Sequence, residues 1–269
     1  MIYILGGEGF VGSAYARLLR ELDEPFIVVT RANYGSLRGS ACDVLVNANG
    51  NSRKFVAIRE PLRDFDASVR SVAASLEDFK AKRYVFLSSG DVYPNTSSPE
   101  ETCEDAPIDL SLVSRYGLHK YLAEQLVRSV HPAWLTVRMG GFVGPGLKKN
   151  AIFDMLTGDP VWLSPESELQ FISTDNAARL VWALVQSGLQ REVVNLGAEG
   201  VLQLGEFHRA IGSASVFKPG APTVRYELSL ERLRRLSGKP LPRTWDCVSD
   251  FAMAVRGGRI RLAEKIAAC

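Results

Sequence analysis

The sequence predicts an α/β protein built on a doubly wound parallel sheet, covered by helices on both faces. Three observations predict it. Short apolar runs alternate with stretches of helical periodicity from Met1 to about Arg138. The first apolar run breaks at glycines and passes directly into a helix pattern. A later run ends in two serines, at the sheet edge where open α/β proteins bind their ligands.

Ile2-Tyr3-Ile4-Leu5 reads as a short buried strand. Behind it, Phe10, Val11, Ala14, Leu18, Leu19 and Leu22 recur at helical spacing, so a helix is expected from near Gly9 to about Leu22. Gly6, Gly9 and Gly12 then fall on a strand-to-helix turn. Gly6 permits the tight turn, Gly9 lets the backbone approach a pyrophosphate, and Gly12 lets the helix pack closely on the sheet. The N–H groups of Phe10 and Val11 belong to the same turn. A helix N-terminus with its partial positive charge suits a diphosphate, so the turn is a candidate dinucleotide site.

The second strand is Phe26-Ile27-Val28-Val29-Thr30. A protein that prefers NAD usually places Asp or Glu at this strand end, on the ribose 2′-hydroxyl. Thr30-Arg31 stands there instead, and an arginine can pair with a 2′-phosphate. The expected cofactor is therefore NADP, with NAD as the alternative. Only Arg31 to Cys42 separates this strand from the next, Asp43 to Asn47, and its glycines and serines mark it as loop. The polar segment Asn47-Ala48-Asn49-Gly50-Asn51-Ser52-Arg53-Lys54 follows the third strand at the end that faces a cofactor. Its asparagines are candidates for the nicotinamide ribose or the substrate, and Arg53 or Lys54 for an anionic group.

Phe65, Val69, Val72, Leu76 and Phe79 predict one crossover helix. Tyr84-Val85-Phe86-Leu87 is a buried strand that delivers Ser88-Ser89 to its C-terminal end. Asn95 to Pro107 is a polar, acidic loop, a candidate rim. Tyr116 and Lys120 are spaced i, i+4, so a helix puts them on one face. A tyrosine hydroxyl exchanges a proton with a substrate oxygen, and a nearby ammonium lowers its pKa from the reference value of about 10. Glycine turn, serine pair and Tyr-x-x-x-Lys in this order point to a nicotinamide-dependent oxidoreductase.

These segments resemble the extended short-chain dehydrogenase/reductases, the NAD-dependent epimerase/dehydratase family. The resemblance runs through Gly6 to Gly12, Asp43 to Ala48, Leu87 to Tyr93, Tyr116 to Lys120, Arg138 to Gly146 and Phe171 to Ala177. It implies a Rossmann sheet with a small C-terminal lobe that caps the substrate. Residues 1–150 are expected to form the dinucleotide-binding domain, with 170–200 returning to the sheet; 151–169 and 201–269 are expected to form the lobe. It implies that Ser89 shares the substrate oxygen, that Tyr116 is the acid/base, and that Lys120 holds the nicotinamide ribose and tunes Tyr116. It implies a sugar or nucleotide sugar as substrate. Ser89, Gly90, Asp91, Asn51, Lys54, Lys149 and Asn150 are the candidate substrate contacts.

The departures bear on the reaction. Family dehydratases carry Asp-Glu where this chain has Gly90-Asp91, so the paired carboxylates for separate acid and base work are incomplete. Gly141 stands where many members have asparagine. Leu169 stands where an arginine often grips the substrate pyrophosphate. Reduction of a keto sugar and epimerisation through a keto intermediate are the two leading readings. A catalytically silent NADP-sensing protein and a dehydratase centred on Asp91 are the alternatives.

Composition agrees with an ordinary enzyme: 269 residues, 46% hydrophobic, net charge +2, enough apolar content for a sizeable core and no general attraction to nucleic acid or membrane. Cys42, Cys103, Cys247 and Cys269 form no C-x-x-C pair, which suggests a reducing cytoplasm and no metal site. His119, His131 and His208 are read as surface or helix-end residues. No signal peptide or membrane span is expected. The expected partner is a small molecule, and a homodimer is an open alternative to a monomer.

Overall fold

The computed structural model describes residues 1–51 and 54–262. The strands of its main sheet are β1 (Ile2–Leu5), β2 (Phe26–Val29), β3 (Ala41–Asn47), β4 (Lys80–Ser89) and β5 (Trp134–Met139), joined at one edge by Glu192–Leu196. Short strands β6 (Gly141–Val143), β7 (Glu168–Leu169) and β8 (Phe171–Ser173) intervene, so the edge strand is β9; β10 (Leu202–Gln203) and β11 (Arg225–Tyr226) follow it. The helices are α1 (Gly12–Glu21), α2 (Tyr34–Leu37), α3 (Lys54–Arg59), α4 (Pro61–Phe65), α5 (Ser71–Asp78), α6 (Arg115–Val130), α7 (Ala151–Thr157), α8 (Thr174–Gln186), α9 (Leu204–Ala210), α10 (Glu231–Ser237) and α11 (Thr244–Arg256).

The six main strands run parallel in the order β2-β1-β3-β4-β5-β9. Strands covered on both faces read as continuous apolar runs, and Val85, Phe86, Leu87, Leu135 and Val137 are all within 1% of complete burial. One face packs on α1 and α8 through Tyr15, Leu18, Leu19, Val181 and Trp182. The other packs on α5 and α6 through Val72, Ala123 and Val127. The register sets Leu5 beside Asn47, Asn47 beside Phe86, and Ser89 beside Met139. The C-terminal ends of the central strands therefore finish together.

Three local expectations change. The helix foreseen from Gly9 begins at Gly12, because Gly9 N–H bonds to Gly6 O at 2.9 Å and closes a turn first. The segment after β2 is not all loop: Tyr34 begins the one-turn α2, its ring edge-on to Phe79 with centroids 5.1 Å apart, its hydroxyl donating to Asp78 at 2.8 Å. The single crossover helix is broken into α4, a π-helical turn over Asp66–Arg70, and α5. Phe79 leaves the helix in an extended conformation and packs edge-on to Tyr3.

Beyond β5 a second core forms from Val143, Ile152, Phe153, Phe171, Phe207, Val248 and Phe251. Two small sheets frame it: parallel β6 and β8, and a three-stranded sheet in the order β10-β7-β11. Among the described residues no helix is long and apolar enough to cross a membrane, and no group of His, Cys, Asp and Glu is placed to hold a metal ion.

One polar network crosses the interior. Arg138 on β5 and Glu124 on α6 are 2% and 0% exposed, with Nη2 and Oε2 2.9 Å apart. Glu124 also accepts from Ser88 at 2.6 Å. Arg138 Nη1 donates to the Tyr93 hydroxyl at 2.9 Å, and Tyr93 donates to Asn195 of β9 at 2.9 Å. Asn195 Nδ2 donates to Thr102 O and Ser229 O. Replacing Glu124 by alanine leaves a buried guanidinium without its counter-ion. We expect Glu124→Ala to lower the unfolding free energy by about 3–5 kcal/mol, as read by urea denaturation; a loss under about 1 kcal/mol contradicts this role.

Candidate active site

The glycine turn is built on contact. Gly6 has φ +74°, and a Cβ there would meet Ala48 O at 2.9 Å. A Cβ on Gly12 would stand 2.2 Å from Gly6 O. The first turn of α1 thus sits directly on the end of β1. Its N-terminus has no side-chain cap. The Ser13 N–H bonds to Gly9 O at 2.9 Å and the Ala14 N–H to Val11 O at 3.1 Å, so the N–H groups that face a ligand are those of Phe10, Val11 and Gly12. This cradle fits a dinucleotide diphosphate. Phe10 turns from it toward the second core, edge-on to Phe142 with centroids 6.4 Å apart. At the end of β2 the Thr30 N–H donates to Asn33 Oδ1 at 2.7 Å, which fixes the turn that exposes Arg31.

A second group of residues gathers at the end of β4. Ser89 Oγ donates to Asp91 Oδ2 at 3.0 Å and accepts from the Asp91 N–H at 3.2 Å. Lys54 Nζ reaches Asp91 Oδ1 at 2.6 Å. Tyr116 and Lys120 occupy successive turns of α6 and are both buried. Ser114 caps this helix by accepting from the Gly117 N–H at 3.1 Å. A Cβ on Gly117 would stand 1.9 Å from Asp91 O, so α6 lies against the backbone that follows Ser89.

Tyr226 of β11 is the member that the sequence does not reveal. Its hydroxyl fills the space above Gly90, 2.4 Å from where a Cβ on that residue would be, with Leu228 beside it at 2.8 Å. Lys54 Nζ lies 5.8 Å from its ring centroid. The small lobe thus contributes a phenol to the same cluster as Ser89, Asp91 and Tyr116. No sequence pattern marks Tyr226, because only the lobe's fold brings it there.

Burial pushes the Tyr116 hydroxyl well above its ordinary pKa; Asp91 adds to this, a hydrogen bond with Ser89 opposes it, and Asp64 adds a smaller push. The expected lowering by Lys120 is therefore not what the protein alone produces. Lys120 Nζ instead faces Leu87 O at 3.4 Å and the Phe86 ring at 5.4 Å. Its own burial brings Lys120 down to about 8, against the pull of Asp64, Glu124 and Asp91. Burial likewise raises Tyr226 far above the usual range, with Asp91, Tyr116 and Tyr93 adding to it.

Several expected ligand contacts are engaged within the protein. Asn47 is fully buried, its amide donating to the Tyr84 hydroxyl at 2.6 Å and to Ser75 at 3.3 Å, and its Oδ1 accepting from the Asn49 N–H at 3.0 Å. It shapes the turn that sets Ala48 against Gly6 and leaves Asn49 exposed. Asn51 donates to Asp64 at 2.6 Å. Asn150 caps α7, accepting from Phe153 N–H and donating to Phe142 O, each at 2.9 Å. Lys149 is exposed on the loop that leads into this cap. Arg53 lies outside the described residues. His119 corrects the surface reading: it is 7% exposed and bonded to Asp64. His131 does end α6.

The sheet order and the glycine turn define a doubly wound protein of the Rossmann type. The chain belongs to the NAD dependent epimerase/dehydratase family, whose model matches residues 2–197. No curated protein matches it significantly. A crystal structure of UDP-galactose 4-epimerase is similar, with TM-score 0.80 at 20% identity over 96% of this chain and 99% of that one. UDP-glucose 4-epimerase of Thermotoga maritima, solved with UDP-glucose, has TM-score 0.76 at 19% identity over 96% and 99%. The dTDP-glucose 4,6-dehydratase DesIV of Streptomyces venezuelae, solved with NAD, has TM-score 0.77 at 20% identity over 96% and 97%. At these identities the likeness is one of fold.

The contact at Gly117 is testable. In Gly117→Ala the new methyl meets a backbone oxygen that no rotamer change can move. The expected loss is about 1–3 kcal/mol or more, with Tyr116 displaced. Gly35→Ala is the control, since nothing lies within 4 Å of a Cβ there. Equal melting temperatures for the two variants would show that α6 has room to spare at Asp91 O.

Proposed function

We propose that this chain is an NADP(H)-dependent oxidoreductase that reduces or epimerises a keto or hydroxyl carbon of a sugar, with a nucleotide sugar as the favoured substrate class. The observation that carries this is the Ser89–Tyr116 pair at the sheet edge, one strand removed from the end of β3, which itself borders the glycine turn. A bound nicotinamide dinucleotide supplies or accepts the hydride. The N–H groups of Phe10, Val11 and Gly12 would hold its diphosphate over the turn that Gly6 and Gly9 shape, and Lys120 would hold its ribose. Tyr116 holds a proton at neutral pH and delivers it to the substrate oxygen, which Ser89 shares. A tyrosine kept protonated by burial is in the form that donates a proton when a keto oxygen is reduced. Residues 151–169 and 201–262 cap the substrate, with Tyr226 reaching inward.

The dehydratase reading is weaker. Asp91 is held on one oxygen by Ser89 and on the other by Lys54, and the space above Gly90 belongs to Tyr226. The buried Tyr116 and Lys120 count against a silent sensor. Apolar side chains exposed on α3 and α4, namely Phe55, Ile58 and Leu62, support a homodimer.

Cofactor choice tests Arg31. A charge-assisted pair with the 2′-phosphate is worth roughly 1.5–3 kcal/mol, so NADPH should bind on the order of ten- to a hundredfold more tightly than NADH in a fluorescence titration. Arg31→Ala should erase the difference. A preference for NADH in the unmodified protein would overturn the NADP assignment.

The acid/base assignment is tested by turnover of NADPH with keto sugars and nucleotide keto sugars. Tyr116→Phe removes only the transferable proton and should cost ~10²–10⁴ in rate while cofactor binding persists. Asp91→Asn should keep hydride transfer. Turnover abolished by Asp91→Asn but retained by Tyr116→Phe would replace this mechanism with elimination centred on Asp91.

A further inference from the structure

Asp64, near the end of α4, is completely buried. One carboxylate oxygen lies 2.5 Å from His119 Nδ1 on α6, and the other accepts from Asn51 Nδ2 at 2.6 Å. Phe65 covers His119 edge-on, centroids 5.5 Å apart. A carboxylate is thereby sealed between the loop after β3, α4 and α6. Burying a charge costs several kcal/mol, and a simple staple between two helices needs none. The charge therefore calls for an explanation beyond packing.

The explanation lies beside it. Lys120 adjoins His119, and its ammonium stands at Gly50, next to Asn51. The point where a Gly50 Cβ would sit is 3.2 Å from Lys120 Nζ and 3.8 Å from Ser68 Oγ. Ser68 lies four residues after Asp64, inside the π-helical turn. Asp64 and the ammonium thus flank the same short backbone, Gly50–Asn51. Three carboxylates act on Lys120: Asp64 from α4, Glu124 from α6 and Asp91 from the turn after β4. Glu124 is paired with Arg138, and Asp91 with Lys54. Asp64 has an amide and an imidazole as partners, and neither is a permanent cation.

We propose that Asp64, clamped between Asn51 and His119, is a positioning residue that keeps Lys120 in its ammonium form inside the site. Burial alone drives Lys120 down, and Asp64 is the foremost group acting against it, leaving Lys120 at about 8. The sign follows directly. Without Asp64 the ammonium is lost at a lower pH, so Lys120 becomes neutral nearer pH 7 and any function that needs its charge fails earlier on the basic side. The consequence for catalysis rests on the role of Lys120 proposed above; its protonation does not.

The test is an NMR pH titration of protein labelled with ¹³C-lysine, in the absence of substrate and cofactor. Lys120→Arg identifies the resonance. The unmodified protein should titrate near pH 8 at this site, and Asp64→Asn about one pH unit or more lower, with circular dichroism confirming the fold. A folded Asp64→Asn with an unchanged midpoint overturns the proposal and leaves Asp64 as a staple. Should Asp64→Asn not fold, the unmodified protein decides: a midpoint at or below about 6, the range of an uncompensated buried lysine, overturns it as well. A protein that titrates as expected but turns over no NADPH would overturn the oxidoreductase reading alone.

Discussion

The buried ion pair between Glu124 and Arg138 holds the C-terminal edge of the sheet together. Burial of two charges is tolerable only when their hydrogen-bonding capacity is met inside the protein. Here it is met by neighbours of the candidate site residues. Glu124 takes the hydroxyl of Ser88, whose next residue is Ser89. Lys120 lies one turn before Glu124, and Tyr116 one turn before that. Arg138 passes the network through Tyr93 to Asn195, and Asn195 ties down Thr102 and Ser229 beside the segment that carries Tyr226 and Leu228. One pair thus fixes β4, β5, β9, α6 and the edge of the small lobe relative to one another.

Close backbone approach is the second constraint, and it follows from the first. With α6 drawn onto the end of β4, no side chain fits at residue 117 against Asp91 O, and none at residue 90 beneath Tyr226. The same logic holds at β1, where Gly12 sits on Gly6 O. Each glycine marks a place where two chemistry-bearing elements meet without an intervening side chain. The site is tight for that reason, and its ionisable groups are desolvated. Tyr116 is held protonated, and Lys120 sits far below a solvated lysine.

The polar loop after β3 shows how a tertiary fold redirects side chains that look free in the sequence. Asn47 and Asn51 are the residue types that bind ribose or substrate. In the protein they serve Tyr84 with Ser75 and Asp64 respectively. Lys54 does reach the candidate site, as the partner of Asp91. The departures from the family pattern at residues 90 and 91 acquire a structural meaning in this way. The missing carboxylate leaves room for a phenol from the small lobe, and the remaining one is fixed by a lysine.

The sequence by itself determined the parallel sheet and the alternation of strand and helix along it, because strand and helix periodicities and glycine breaks are local signals; the order of the strands came from the structure. It determined the glycine turn, the shortened connection between β2 and β3, and the placement of Ser89, Tyr116 and Lys120, since spacing along one strand or one helix decides which side chains share a face. Three further things were decided only by the tertiary structure. The crossover helix is split by a π-helical turn, although its apolar spacing is that of one continuous helix. Asp64 meets His119, fifty-five positions away, through packing of α4 on α6. Tyr226 reaches Gly90 because β11 pairs with β7 in a lobe whose short strands carry no periodicity of their own. Long-range juxtaposition depends on how separate elements dock, and docking is fixed by the shape and burial of whole surfaces rather than by any local run of residues.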